Sequence, residues 1–480
     1  MGENEVVVLG AGFSRAVSRH MPLTDELGKA ALKRAGLARD SRVPAAGFQR
    51  EFTFEEWLSI LAEKQPYLSA SDNLDNAALF SRLTESLGEV LAEDVVASSE
   101  QTPPEWFYML LGLLHYRRAT VITFNYDTLV ELGVVSHRLA VPSLGGSRNT
   151  TTVRPGHILM ASPPLPNAIK VPDVSWLQRR TFRLLKLHGS IDWWAVPDDP
   201  TGATLNREPM EGTFGSYHLL DEPSRRYLLP GRDRFIVPPS TVKSAYYTNP
   251  LVRELWREAR TAMRGATRIS FLGYSFPRVD SVMTSMVESA IRGSRVAFEI
   301  ADLHPEVPRQ RLLGLGAEQG SVVEYSGVDA IEKFTRALAQ RASKELVEWL
   351  RGRTPDNGIG TRVLLSWGVP KFTQTGIRIV AAVLPPDVSG VGEIALELSP
   401  GANADATGAR FGPDGSVLST SEAFFSLRDL ILAVRTDRVK ALEFRTGGNL
   451  VPLVASWYES RETGASNRWI ALSPSGRQRK

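Results

Sequence analysis

The chain contains no cysteine in its 480 residues. Disulfide bridges and thiolate-held metal centres are therefore excluded, and thiol chemistry says nothing about compartment. Histidine is scarce as well: 7 residues are scattered with neither an HExxH pair nor another zinc-type spacing, so no metal is expected. No apolar run reaches the length of a bilayer span and the amino terminus shows no signal-peptide pattern, so the expected location is the cytoplasm, without a membrane partner. Neither sign of charge dominates, since 56 basic and 53 acidic residues leave a formal net charge of +3. The short basic tail Arg477, Arg479 and Lys480 is no dedicated nucleic-acid footprint, and direct nucleic-acid contact has no support.

What is present is a long chain with 42% hydrophobic residues, enough for two or three cores. Short β-branched runs alternate with helical spacing over the first two-thirds. Strands are read at Glu5–Leu9, Ala119–Phe124, Phe182–Leu187, Arg268–Leu272 and Arg295–Ile300, and helices at about Pro250–Arg264 and Asp329–Leu350. The segment from about 20 to 115 has mostly helical spacing, as in Phe54-Glu55-Glu56-Trp57-Leu58, and reads as a helical insertion. Residues 139 to 172 are rich in Gly, Pro, Ser and Thr and read as a long irregular excursion, whereas the part after His188 reads as polar and proline-containing up to Phe235. The fold class is therefore α/β, a Rossmann-like, mostly parallel sheet covered on both faces, over residues 1–352. Gly352 to Gly360 reads as a linker. Residues 360–480 read as a smaller β-rich domain, with strands at Val363–Trp367, Ile377–Val380 and Glu393–Leu398 and a hairpin turn at Gly412-Pro413-Asp414-Gly415.

Ligands of parallel sheets bind beyond the carboxyl ends of the strands, and four motifs fall at that edge. Gly10-Ala11-Gly12-Phe13-Ser14 follows the first strand; its glycines let backbone approach a pyrophosphate, although such turns also occur in folds that bind no dinucleotide. Thr123-Phe124-Asn125-Tyr126-Asp127 brings an amide and a carboxylate, suited either to the charge that develops when a nicotinamide–ribose bond breaks or to capping the next helix. His188 before Gly189 suits proton transfer, or a structural hydrogen bond, and the flanking Lys186 and Asp192 read as surface charges. Gly273-Tyr274-Ser275 offers a further turn with a hydroxyl, and Asp302 a carboxylate for a ribose diol.

In order along the chain these elements resemble the GAGxS, TQNxD, HG and GxS elements of the sirtuin-like family, over roughly residues 5 to 330. The resemblance implies NAD as substrate. Gly10, Ala11, Gly12 and Ser14 would lie against it, Asn125 and Asp127 would face the nicotinamide ribose, and His188 would be the catalytic histidine. Gly273, Ser275 and Asp302 would serve the adenosine side. Protein-deacylating sirtuins carry a four-cysteine zinc module after the HG element, which this cysteine-free chain lacks. Met21–Leu27 stands in place of their GIPDFR stretch, and the distance from Asp127 to His188 is longer than in most of them. These features resemble the bacterial anti-phage defence proteins that hydrolyse NAD, in which self-assembly or a partner protein of the defence system controls activity. The expected function is thus an NAD+ glycohydrolase releasing nicotinamide and ADP-ribose. The alternatives are an NAD-dependent deacylase or ADP-ribosyltransferase, and a non-catalytic nucleotide-sensing subunit.

Overall fold

The structure is a computed structural model of the chain. It describes residues 4–351, apart from 45–46, 49–51, 138, 143–149, 167–177, 179–180, 198, 200, 278–279 and 294, and beyond 351 the strand segments between 364 and 474. The expected linker at 352–360, the turn at 412–415 and the basic tail lie outside the described residues.

The chain divides into two compact units. The first holds residues 1–104, 118–136 and 154–333. At its centre six strands lie side by side: β1 (Glu5–Leu9), β2 (Thr120–Thr123), β5 (Arg183–Lys186), β9 (Arg268–Leu272), β10 (Ala297–Asp302) and β11 (Val322–Ser326), in the order β11-β10-β9-β1-β2-β5. Every pairing is parallel. The β-branched run Val6-Val7-Val8 is buried on both sides of the sheet, as a fully covered strand requires. From β1 the chain builds outward through β2 to β5, then returns to add β9, β10 and β11 on the other side. The reversal lies between β1 and β9, where such sheets open a crevice at their carboxyl ends.

Helices close the faces. The first is short, α1 (Ala11–Val17), and α2 (Thr24–Arg34), α3 (Phe54–Ala62) and α4 (Ala70–Ser99) form the helical insertion. Thr53 and Glu56 exchange the two hydrogen bonds of a capping box at the start of α3, and Ser69 with Asp72 does the same for α4. Behind these caps Phe48, Phe54 and Trp57 pack as an aromatic cluster. Further along come α5 (Glu105–Arg117), α6 (Leu129–His137), α7 (Pro155–Ile158), α8 (Glu222–Leu228), α9 (Ser244–Tyr247), α10 (Pro250–Arg264), α11 (Ser281–Gly293), α12 (Glu306–Gly314) and α13 (Ala330–Arg351). Asn249 caps α10 by accepting from the Leu251 and Val252 amides at 3.0 and 3.3 Å, with Pro250 at the first helical position. One face of α10 (Val252, Leu255, Ala259, Met263) is buried; its Leu255, Ala259 and Met263 join Met283, Val287 and Ala290 of α11 and the strands in one core.

The segment after His188 differs from its reading as polar and irregular. It holds a three-stranded antiparallel sheet of β6 (Gly189–Ala195), β7 (Asn206–Arg207) and β8 (Asp233–Ile236). Nearly every residue of β6 is buried, so Ser190-Ile191-Asp192-Trp193-Trp194 carries no alternation from which to read a strand. Arg225 and Arg234 sit over the Trp194 ring at 5.2 and 4.7 Å, and Glu208 accepts from its indole N–H at 2.9 Å. β11 likewise went unread: it is a half-exposed edge strand of mixed composition.

The second unit holds residues 105–117, 137–153 and 334–480. It includes α5, whose Tyr108 ring stacks on His137 at 4.9 Å, and part of the supposed irregular excursion, which forms a hairpin of β3 (Ala140–Pro142) and β4 (Thr150–Thr152). Beyond residue 351 are β12 (Leu364–Trp367), β13 (Lys371–Thr373), β14 (Gly376–Leu384), β15 (Gly392–Leu398), β16 (Leu442–Thr446), β17 (Asn449–Ser460) and β18 (Asn467–Pro474). They pair antiparallel in two sheets, β12–β15 and β16–β18. The strands read at Val363–Trp367, Ile377–Val380 and Glu393–Leu398 fall on β12, β14 and β15. Among the described residues no helix is long and apolar enough to cross a membrane.

The β1–β9 crevice is closed by backbone. The Gly10 amide donates to the Leu272 carbonyl at 3.1 Å and the Gly12 amide to the Gly273 carbonyl at 3.0 Å. A Cβ on Gly10 would stand 2.4 Å from the Gly273 carbonyl oxygen. Gly10→Ala is therefore expected to destabilise the first unit by about 1–3 kcal/mol, the usual cost of overpacking. Gly314→Ala, where a Cβ meets nothing, should shift little. Urea unfolding of both variants tests this, and equal midpoints would remove the close-packing explanation of Gly10.

Candidate nucleotide site

Strand register brings the motifs to one edge. Leu9 pairs with Thr123 and with Leu272, Thr123 with Lys186, and Leu272 with Ala301. The residues that follow these positions, Gly10, Phe124, Leu187, Gly273 and Asp302, therefore emerge side by side.

On the β2 side a directed chain of hydrogen bonds fixes the polar groups. Asn125 Nδ2 donates to the Gly10 carbonyl and to Ser14 Oγ, both at 2.8 Å, and Ser14 donates onward to Asp127 Oδ2 at 2.6 Å. The direction is forced, because a carbonyl and a carboxylate only accept. The Asn125 amide thus has its NH2 turned inward. Its Oδ1 has no hydrogen-bond partner among the described residues, and the residue is only half-buried. Asp127 is buried and fully engaged: Oδ1 accepts from the Leu129 amide at 3.1 Å, capping α6, and its main-chain carbonyl accepts from Lys186 Nζ at 2.5 Å. Of the two residues read as helix caps, Asp127 makes such a contact and Asn125 does not.

Lys186 and Asp192 are not surface charges. Both are buried, and Lys186 pairs with the equally buried Glu131 at 2.8 Å. Strand alternation explains the error: β5 is covered on both faces, so its lysine has no route to solvent and survives only by pairing.

His188 is buried at the end of β5. Its ring meets Phe124 edge-on at 4.9 Å and lies alongside Tyr126 at 6.4 Å, whose hydroxyl donates to the Val237 carbonyl at 2.7 Å. Gly189 has φ of 77°, and a Cβ there would stand 2.4 Å from the Phe235 carbonyl oxygen, so glycine is needed for β6 to leave the histidine along β8. Lys243 Nζ lies 3.5 Å from His188 Nε2, and Asp280 Oδ1 lies 3.8 Å from the same nitrogen. Lys243 and Asp280 form a buried ion pair, and the Tyr274 hydroxyl donates to the other Asp280 oxygen at 3.2 Å. Burial, reinforced by the Lys243 charge and opposed by Asp280, lowers the His188 pKa to about 3, so the ring is neutral at physiological pH. Burial alone would raise the Asp280 carboxyl, yet His188, the Lys243 ammonium and the Tyr274 hydroxyl hold it below its ordinary value.

Other residues singled out from the sequence fall less centrally. Ala11 opens α1 and is half-buried, Ser275 is exposed beyond the turn, and Asp302 Oδ1 accepts from the His304 amide at 2.9 Å, closing its own turn. Gly10, Gly12 and Gly273 are packed against one another. Sequence reasoning missed Lys243, Asp280 and Glu55, and it gave Tyr274 only as the middle of a turn. Lys243 lies in a segment without periodicity, and Asp280 precedes a helix as any cap residue does. Glu55 sits in an amphipathic pattern as an ordinary polar position. Its carboxyl is raised to about 8, first by burial and then by Asp280. Among the described residues no group of three or more His, Asp or Glu is placed to hold a metal ion.

No protein-family model and no curated protein matches the chain. Among solved structures it is similar to a Sir2 in complex with the inhibitor EX-527, 2'-O-acetyl-ADP-ribose and a deacetylated p53 peptide, at 14% identity over 71% of this chain and 94% of that one, with a TM-score of 0.30. It is similar also to a Sir2 with a p53 peptide and NAD+, at 13% identity over 71% and 93% of the two chains, with a TM-score of 0.31. At these values the likeness is distant and assigns no role to any residue.

Burial of neutral His188 has a consequence for stability. Between its folded value of about 3 and its ordinary 6.5 the unfolded chain binds a proton that the folded chain does not. The contribution is complete above pH 6.5 and is lost as pH falls toward 3. His188→Gln is expected to flatten the fall in urea midpoint between pH 6.5 and 4. An unchanged slope would mean that the ring is not held neutral by the fold.

Proposed function

We propose that the chain is an NAD+ glycohydrolase, cleaving NAD to nicotinamide and ADP-ribose. The observation that carries this reading is the Asn125 amide, pinned by the Gly10 carbonyl and Ser14 so that its unpaired Oδ1 stands at the same sheet edge as His188. Cleavage of the glycosidic bond leaves its electron pair on the nicotinamide nitrogen, which becomes neutral, and moves positive charge to the ribose. A preorganised amide oxygen can meet that charge or hold the water that adds at the anomeric carbon, without reorganisation at the moment of reaction. The added water gives up one proton, which ends in bulk solvent, and His188 assists its attack. Asp127 contributes through Ser14 and the strand end it fixes.

The ordered motifs at Gly10–Ser14, Asn125–Asp127, His188–Gly189 and Gly273–Ser275 support NAD as the nucleotide, with Ser275 and Asp302 on its adenosine side. The cysteine-free sequence favours hydrolysis over peptide deacylation, because no thiolate zinc module is available to build the peptide channel. We assign the role of an anti-phage defence effector, with the β-rich residues 360–480 as its sensing or partner-binding part.

Purified full-length protein given NAD, with any trigger supplied, should release nicotinamide and ADP-ribose. Asn125→Ala and His188→Ala should each lower the rate by about 100-fold or more, as loss of a preorganised polar group commonly does. Full activity in both variants would sink the assignment, and NAD-dependent acetate release from an acetylated peptide would replace hydrolysis with deacylation.

A further inference from the structure

Two charged groups that no motif marked, Lys243 and Asp280, converge on His188, and the Tyr274 hydroxyl holds the second of them. They come from different places: Lys243 from the turn before α9, and Asp280 and Tyr274 from the segment between β9 and α11. A lysine only 3% exposed and a carboxylate only 7% exposed are costly to bury, and their pairing offsets part of that cost. It does not explain why the pair is built against an imidazole.

The chemistry of these partners favours one arrangement. A lysine ammonium has donors and no lone pair, so it favours a lone pair on the nitrogen 3.5 Å away, which is nearer to it than to Asp280 Oδ1 at 3.8 Å. A neutral imidazole with a lone pair on Nε2 carries its proton on Nδ1. We propose that Lys243, anchored by Asp280, is a positioning residue for His188: its ammonium faces Nε2 and fixes the ring as the neutral tautomer protonated on Nδ1. This deepens the hydrolase reading and rests on it for its functional meaning. His188 then meets ligand or water as an N–H donor, and it orients the attacking water without taking its proton.

The remaining groups around the ring are consistent with this state. Phe124 and Tyr126 flank it from the end of β2, and the Tyr126 hydroxyl is committed to Val237. Tyr274 is committed to Asp280. Glu55 of α3 acts on Asp280 and Lys243, and burial keeps it largely protonated at neutral pH. Among the described residues Lys243 and Asp280 are thus the two charges that face the ring, and they oppose each other. Removal of Lys243 leaves Asp280 alone 3.8 Å from Nε2, where it draws a proton onto the ring.

The test uses full-length protein with isotope-labelled histidine, His188 being assigned by difference from His188→Gln. In the wild type the nitrogen shifts should report the proton on Nδ1, with no titration between pH 8 and 5. In Lys243→Met the midpoint should rise toward that window, so that titration begins at its acid end, because Asp280 then acts on the ring unopposed by the ammonium while burial remains. Lys243→Arg should restore the silent ring, and Lys243→Met/Asp280→Asn should silence it again, since neither charge remains. A wild-type proton on Nε2 overturns the proposal even if no variant folds, and so does a silent His188 in a folded Lys243→Met. Nicotinamide release, measured in parallel, separates the two readings. A shifted His188 in Lys243→Met with no NAD turnover under any trigger sinks the hydrolase and leaves the tautomer assignment standing. Turnover that Asn125→Ala abolishes, with a silent His188 in Lys243→Met, does the reverse.

Discussion

The carboxylate of Asp127 is the constraint on which the rest of the edge depends. One oxygen receives Ser14 from the turn after β1, the other caps α6, and the adjoining carbonyl receives Lys186 from β5. Lys186 in turn neutralises Glu131 on α6. Three consecutive neighbours in the sheet and one helix are thus tied by a network from which water is excluded. In such surroundings each bond is strengthened, and removing any partner strands the others. The same network sets the hydroxyl of Ser14, which can then only accept from Asn125. The orientation of one half-buried amide is therefore decided by a buried carboxylate.

A second, independent electrostatic unit surrounds His188. Here the charges of Lys243 and Asp280 cancel, so the pair adds no net field to the ring yet distinguishes its two nitrogens. Aromatic rings of Phe124 and Tyr274, stacked at 5.0 Å, fill the space behind and keep the local dielectric low. Low dielectric penalises a charged imidazole and strengthens the ammonium's hold on the neutral one. Burial and the Lys243 ammonium therefore act in the same direction on the histidine and Asp280 opposes them, whereas on the aspartate the ammonium opposes burial.

How much of this could be read from the sequence depended on whether a residue's environment was local. Val6-Val7-Val8 before Gly10, and Thr120–Thr123 before Asn125, announce buried strands ending in polar turns, and parallel topology then puts those turns on one edge. The mostly parallel sheet, the helical insertion and the strands beyond residue 363 followed from periodicity in the same way. Lys186 did not, because a lysine inside a doubly covered strand depends on Glu131, 55 positions earlier in the chain. Lys243 and Asp280 failed for the same reason: each is unremarkable where it stands, and only the return of β9 beside β1 brings them to His188. The glycines were read correctly as close-approach positions, but what approaches Gly10 in this structure is the Gly273 turn.

With the Gly10 and Gly273 turns hydrogen-bonded across the reversal between β1 and β9, the free acceptor and the histidine stand on the β2–β5 side. The helical insertion reaches this side through α3. Ser59 donates to the Glu55 carbonyl at 2.7 Å and accepts from the Thr241 amide at 2.8 Å, two residues before Lys243. One turn earlier in the helix, the Glu55 carboxyl is pushed up to about 8, first by burial and then by the charge of Asp280. Protonated, it adds no charge and α3 rests against the Lys243–Asp280 pair without penalty. Ionised, it places a second carboxylate beside one ammonium. For a group whose folded pKa is raised, the stabilisation is complete below the ordinary carboxylate value of 4.5 and is lost as pH rises through about 8. The insertion and the ion pair that orients His188 are thus linked through a single proton on Glu55.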